Sequence, residues 1–151
     1  MRYFEYSHNH ANKILDKEIM DNLFLVLKKF KAKYYKGVTR ELRHQLKEEL
    51  DKFGWSDSIE IVEGTHISIT SYNNKHGLCL QTGNMSRFYA DLIKLQHLYL
   101  NDKIKGAFYL LPSKETSLKL GSNIAHFDRF TKEIEIFKKT ITIPILVVGM
   151  D

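Results

Sequence analysis

Between residues 28 and 43 the chain sets Lys28, Lys29, Lys31, Lys33, Lys36, Arg40 and Arg43 against one acid, Glu41, with Phe30, Tyr34 and Tyr35 interleaved. Such a run can track phosphates, because lysine and arginine supply the sequence-independent part of nucleic-acid binding. It equally suits a solvated helix end followed by a basic loop, since cations favour a helix C-terminus. A net charge of +5 permits an acidic partner without demanding one.

The other chemistry-bearing residues are sparser. His66, His76 and Cys79 are zinc-ligand types, but their spacing matches no finger or ribbon, and they read as ordinary hairpin residues. His8 and His10 would share a face of an extended segment, and nothing completes a ligand set. Gly77, Gly83 and Gly106 form no phosphate-binding loop. Cys79 is the only cysteine, so no internal disulfide forms, and inside a strand it reads as a small core hydrophobe. Gln81 sits on a sheet edge within the strand Leu78 to Thr82, and can serve a site or simply satisfy neighbouring polar groups.

Elements that would position these residues follow from local patterns. Ile67 to Tyr72 and Leu78 to Thr82 alternate as strands around the turn Asn73 to Gly77. Gly83-Asn84 breaks the chain before a helix from Met85 to Leu100, and Gly106 to Leu111 is the next strand, stopped by Pro112. Upstream, Asp16 or Asn12 caps a helix running to about Ala32, with Ile19, Leu23, Val26, Leu27 and Phe30 as its stripe. Thr39 opens a second helix carrying Leu42, Leu46 and Leu50, ending near Gly54. Ser58 to Glu63 is a strand, Ser122-Asn123 starts a helix through about Phe137, and Pro144 to Val148 is a non-alternating, hence central or parallel, strand. The sum is α/β: a central mixed β-sheet flanked by helices.

A chain of 151 residues with 43% hydrophobic and 27% charged residues suggests one domain, 1–151, with a real core. No window approaches the roughly 18 apolar residues of a membrane span. The expectation is a cytoplasmic protein with no membrane association.

Several strings resemble the BglII-type restriction endonucleases, members of the PD-(D/E)XK nuclease fold. Tyr6 to Leu15 is similar to that family's opening segment, and Leu46-Lys47-Glu48-Glu49-Leu50 with Gly54-Trp55 to the end of its second helix. Gly64-Thr65-His66-Ile67-Ser68 resembles the Gly-Thr-Asp-x-Asp start of its first catalytic strand. Cys79-Leu80-Gln81-Thr82-Gly83-Asn84 resembles its Glu-x-Gln strand with the following Asn. The resemblance implies a restriction-endonuclease-like fold, a duplex DNA partner and a homodimer. It also implies two carboxylates that hold a magnesium ion against the scissile phosphate, a task for hard oxygen donors.

Those two carboxylates fall at Ser68 and Cys79, and only Gln81 is retained. A hydroxyl brings no charge and a thiolate is a poor magnesium ligand. Three readings compete. In the first, a DNA-binding protein with a degenerate site (Gln81, Glu49, Ser68, Cys79) and no metal contacts duplex through Lys29, Lys31, Lys33, Lys36, Arg40 and Arg43. In the second, an active nuclease has moved its magnesium ligands to Glu49, Glu60, Glu63 or Asp91. In the third, a protein-binding module pairs with or inhibits a partner through the helix 85 to 100, whose apolar residues exceed one face. Arg87 and Lys94 on that helix are secondary candidates for phosphate or subunit contacts. The chain stops soon after its last strand, where family enzymes continue with recognition segments.

Overall fold

Two apolar stretches of this chain refuse to alternate, Gly106 to Leu111 and Ile145 to Val148, and both are buried on both faces. They form the middle of the sheet in a computed structural model that describes residues 2–151. The chain begins with β1 (Tyr3–His8), a one-turn helix α1 (Ala11–Ile14), α2 (Lys17–Lys29) and α3 (Thr39–Asp51). Short strands β2 (Ile59–Glu60), β3 (Ser68–Ile69) and β4 (Ser71–Asn73) lead to β5 (His76–Leu80) and α4 (Arg87–Leu100). Then come β6 (Gly106–Pro112), α5 (Lys114–Leu120), α6 (Phe127–Ile136) and β7 (Ile145–Met150). The main sheet has the order β1-β7-β6-β5-β4, with β5, β6 and β7 parallel and the two edge strands antiparallel.

Each face of the sheet has its own core. Leu78, Leu80, Phe108, Leu110, Leu146 and Val148 face α2 and α3, where Leu23, Leu27, Leu42, Leu46 and Trp55 meet them. Cys79, Ala107, Tyr109, Ile145 and Val147 face α4 and α6, where Phe88, Leu92, Leu95, Phe130 and Ile134 cover them. Period-two alternation within β5, β6 and β7 therefore selects a face, not inside from outside.

Several boundaries differ from expectation, among them the strand Ser58 to Glu63, which shortens to Ile59–Glu60, and four have a clear local reason. The strand Ile67 to Tyr72 is split: Ser68–Ile69 pairs with Ile59–Glu60 in a separate two-stranded sheet, while Ser71–Asn73 pairs with β5. At the break, the Thr70 hydroxyl, rather than a backbone carbonyl, accepts the Leu80 N–H at 3.0 Å. The helix expected from Ser122 starts at Phe127, because Ile124 first bridges to Asn84 and His126 caps the helix by accepting from Arg129 N. Asp16 makes no side-chain cap; its carboxylate pairs with Lys105. Pro112 does not end pairing before itself but lies opposite Met150 as the last residue of β6. Gly54, at φ 87°, does close α3 as expected. No helix is long and apolar enough to cross a membrane among the described residues.

Close packing makes one substitution informative. A Cβ at Gly149 would lie 2.7 Å from Phe127 Cγ and 2.8 Å from Phe127 Cβ, both at the rigid base of the ring. Gly149→Ala is expected to cost about 1–3 kcal/mol in urea unfolding, the range for overpacking a filled core. An unchanged midpoint would contradict this close approach.

Two buried histidines tie stability to pH. His8 and His76 are 1% and 0% exposed. Burial holds both imidazoles below their ordinary value. His76 Nδ1 donates to Asn74 O at 2.7 Å and Nε2 accepts from Asp16 N at 3.1 Å, which is the neutral ring fully used. Since the folded values lie below the unfolded one of about 6.5, stability is complete above that pH and is lost as pH falls through the folded values. The urea midpoint should therefore drop as pH falls below about 6.5. A flat profile would mean that neither ring is held neutral.

Candidate functional site

Residues three, four and seven apart on a helix share one face, and two such faces oppose each other here. Along α3 these are Arg43, Leu46, Lys47 and Leu50; along α4, Arg87, Ala90, Asp91 and Lys94. Between them opens a cleft of about 720 Å³, floored by Ser68 to Ser71 and by Leu80-Gln81 at the carboxyl end of β5. The rim is closed by Ser56, Asp57 and Ser58. This size falls within the range of ligand sites.

Gln81 is fixed on both sides. Its N–H donates to Leu110 O at 2.9 Å, prolonging the ladder beyond β5. Its Oε1 accepts from Gly83 N at 3.0 Å, and its Nε2 donates to Asp91 Oδ2 at 2.7 Å. The Tyr109 hydroxyl donates to that same oxygen at 2.7 Å. Lys94 Nζ lies 3.6 Å from the other, Oδ1. Asp91, 9% exposed, thus has partners on both oxygens, as a buried carboxylate requires. Burial, reinforced by the Asp91 charge, pushes the Tyr109 phenol well above its ordinary value, so it remains a donor.

Arg43 Nη2 donates to Leu80 O at 2.8 Å. The residue keeps accessible surface because it faces the cleft, yet desolvation by the surrounding protein lowers its pKa, against the opposing pull of Asp91. Lys47 pairs with Asp57 at 2.6 Å. The Arg87 side chain has no hydrogen bond or ion pair among the described residues. Four cations, Arg43, Lys47, Arg87 and Lys94, therefore face two carboxylates, Asp57 and Asp91.

The family model for restriction endonuclease BglII/BglIII matches residues 3–150. The chain belongs to the BglII/BglIII restriction endonuclease family. Its fold is that of the solved BglII structures. The complex of restriction endonuclease BglII with a DNA 16-mer superposes with a TM-score of 0.83 at 15% identity, over 99% of this chain and 76% of that one. Free BglII gives 0.80 at 15% identity, over 100% and 80%. No curated protein sequence shows a significant match.

Within this BglII-family fold the residues singled out from the sequence fall in different places. Gln81 and Ser68 line the cleft. Cys79 is 2% exposed and packs into the α4-facing core; burial pushes its thiol well up. Glu49 accepts from Lys52 Nζ at 2.7 Å on the rim of α3 and does not line the cleft. Glu60 lies near His66, with 3.8 Å between their side chains, and Glu63 is exposed in the same small hairpin. Of the suggested alternative donors, Asp91 alone enters the cleft. Lys29, Lys31, Lys33, Lys36 and Arg40 are exposed on α2, the following loop and the start of α3, and none forms an ion pair among the described residues. Arg43 parts from them and turns inward.

Sequence reasoning missed Lys47, the serines of the rim and Tyr109. The tyrosine had a signal, being the one polar group in an otherwise apolar strand. Among the described residues no three His, Cys, Asp or Glu side chains gather as a metal-holding group.

Proposed function

We propose that this chain binds duplex DNA on the BglII-type fold and does not carry out ordinary magnesium-dependent phosphodiester cleavage. The donor set of the cleft carries this reading. Magnesium asks for oxygen donors, usually carboxylates plus water. Here Asp91 is already bonded to Gln81 and Tyr109, Asp57 is tied to Lys47, and the remaining walls bring arginine and lysine. These residues do not fit the cation the family chemistry needs. The exposed lysines of the α2–α3 loop, lying on the same side of the sheet as Arg43, supply the phosphate-neutralising surface. The BglII relative bound to a DNA 16-mer supports the same partner for this chain.

The test is fluorescence anisotropy of a labelled duplex over a salt series, followed by incubation of plasmid with magnesium or manganese. Binding that weakens steeply with salt, with plasmid left intact, is expected. Cleavage that Asp91→Asn abolishes would instead establish an active enzyme with a helix-borne carboxylate.

A second reading has its own support. Tyr89, Ile93 and Leu100 of α4 are 36%, 67% and 67% exposed, and Ile136 and Phe137 at the end of α6 are 73% and 38% exposed. Tyr89 and Phe137 meet edge to face at 6.0 Å, which joins the exposed apolar groups of the two helices at that point. A second copy of this chain would cover it as a homodimer. Light scattering that returns a monomer at high concentration would remove this reading.

A further inference from the structure

We propose that the guanidinium groups of Arg43 and Arg87, on facing walls of the cleft, together seat one phosphodiester group where the family's chemistry would place a divalent cation. The proposal deepens the DNA-binding reading and rests on it for the identity of the ligand. Three observations carry it.

The first is position. Arg43 Nη2 is anchored 2.8 Å from Leu80 O, on one side of the end of β5. On the other side, Arg87 Nη1 lies 3.6 Å, and Gln81 Oε1 3.1 Å, from where a Cβ on Gly83 would stand. The two guanidiniums therefore bracket Gln81. They are near enough that the Arg87 charge lowers the pKa of Arg43.

The second is unused donor capacity. A guanidinium offers five N–H groups. Arg43 commits one hydrogen bond to a backbone carbonyl, and the Arg87 side chain commits none among the described residues. The cleft carboxylates do not absorb them: Asp91 is engaged by Gln81, Tyr109 and Lys94, and Asp57 by Lys47. Two like charges face one open cavity, and the one carboxylate that acts on Arg43, Asp91, is already hydrogen-bonded to Gln81 and Tyr109. A tetrahedral oxyanion, which forks of N–H donors grip in pairs, is the ligand that resolves this.

The third is the surrounding chemistry. Ser58, Ser68 and Thr70 line the same cavity, and hydroxyls can donate to phosphate oxygens without adding negative charge. A carboxylate at Ser68, which lines the cleft, would repel the same anion. The hydroxyl at Ser68 and the arginine pair thus act in one direction, favouring an anion over a cation.

The experiment has two arms, each using wild type, Arg87→Gln and Arg87→Lys. Arg87 is exposed in the first turn of α4, so neither variant disturbs the core. In the first arm, Tm is followed with increasing inorganic phosphate against sodium chloride at equal ionic strength. Wild type is expected to gain about 2–4 °C over chloride, Arg87→Lys less, and Arg87→Gln nothing. No gain in wild type, or an equal gain in Arg87→Gln, overturns the seat.

In the second arm, duplex affinity is read by anisotropy. Arg87→Gln is expected to bind about tenfold more weakly and to lower the log–log salt slope by about one. Equal duplex binding by wild type and Arg87→Gln overturns the seat while leaving the DNA-binding reading intact. If wild type binds no duplex but shows the Arg87-dependent phosphate effect, the DNA-binding reading falls and the anion seat stands.

Discussion

Replacing Lys29, Lys31, Lys33 and Lys36 together by glutamine is expected to weaken duplex binding by about two to four decades near 0.1 M salt, on the order of 0.9 decade for each phosphate no longer neutralised. The salt slope should flatten in parallel, by about three to four, if each lysine neutralises one phosphate. All four are exposed and outside any ion pair among the described residues, so a weaker complex would not reflect damage inside the protein. Stability should hardly change, because exposed positions of this kind contribute within about 0.5 kcal/mol. A large fall in binding with an unchanged urea midpoint is what separates a binding surface from a solvated loop. If the quadruple variant binds duplex like wild type, the basic run is a solubility feature and DNA must be held elsewhere.

Restoring the family's second acid has a different expected result. Cys79→Glu places a carboxylate among Ile69, Phe88, Leu92, Leu95 and Tyr109, in a position 2% exposed and close enough to Asp91 for that charge to act on it. For the native thiol, burial and Asp91 raise the pKa more than Lys94 and Arg43 lower it. The same balance would act on a carboxylate, which would take up a proton rather than ionise. Overpacking and an unsatisfied polar group together are expected to cost about 3–5 kcal/mol. Cys79→Ser, which changes polarity with little change of volume, should cost less. Urea unfolding of the three proteins gives the comparison. A stable Cys79→Glu protein that cleaves plasmid with manganese would show that this position opens to the cleft and that a single substitution separates this chain from a nuclease.

Much of the central fold was legible because its signals are local. The hairpin turn, the helix 85 to 100 and the two non-alternating strands follow from short-range patterns, and these build the middle of the sheet. The first strand, Tyr3–His8, carried no such signal. It is an edge strand with Phe4 and Glu5 exposed, so no apolar alternation marks it. The split at Thr70 was also invisible, since a side chain standing in for a backbone acceptor is set by the partner strand rather than by its own sequence. In the site, Gln81 and Asp91 could each be named, but their hydrogen bond depends on the packing angle of α4. Arg43 reads as one more surface cation until its spacing from Leu46 and Leu50 is considered; that spacing puts it on the wall of the cleft.

The pairing of β1 with β7 has a consequence for how the protein is made. Tyr3 lies opposite Met150, and the strand between β1 and β6 is the last strand of the sheet to leave the ribosome. During synthesis the earlier strands β5 and β6 can associate, but β1 has no partner until residues 145 to 150 emerge. Contacts this distant in sequence slow folding, and the wait leaves the edge of β6 unpaired. The nascent chain is therefore expected to need everything through β7 before the sheet closes, and a nonsense mutation ahead of β7 would leave an insoluble fragment rather than a smaller folded protein.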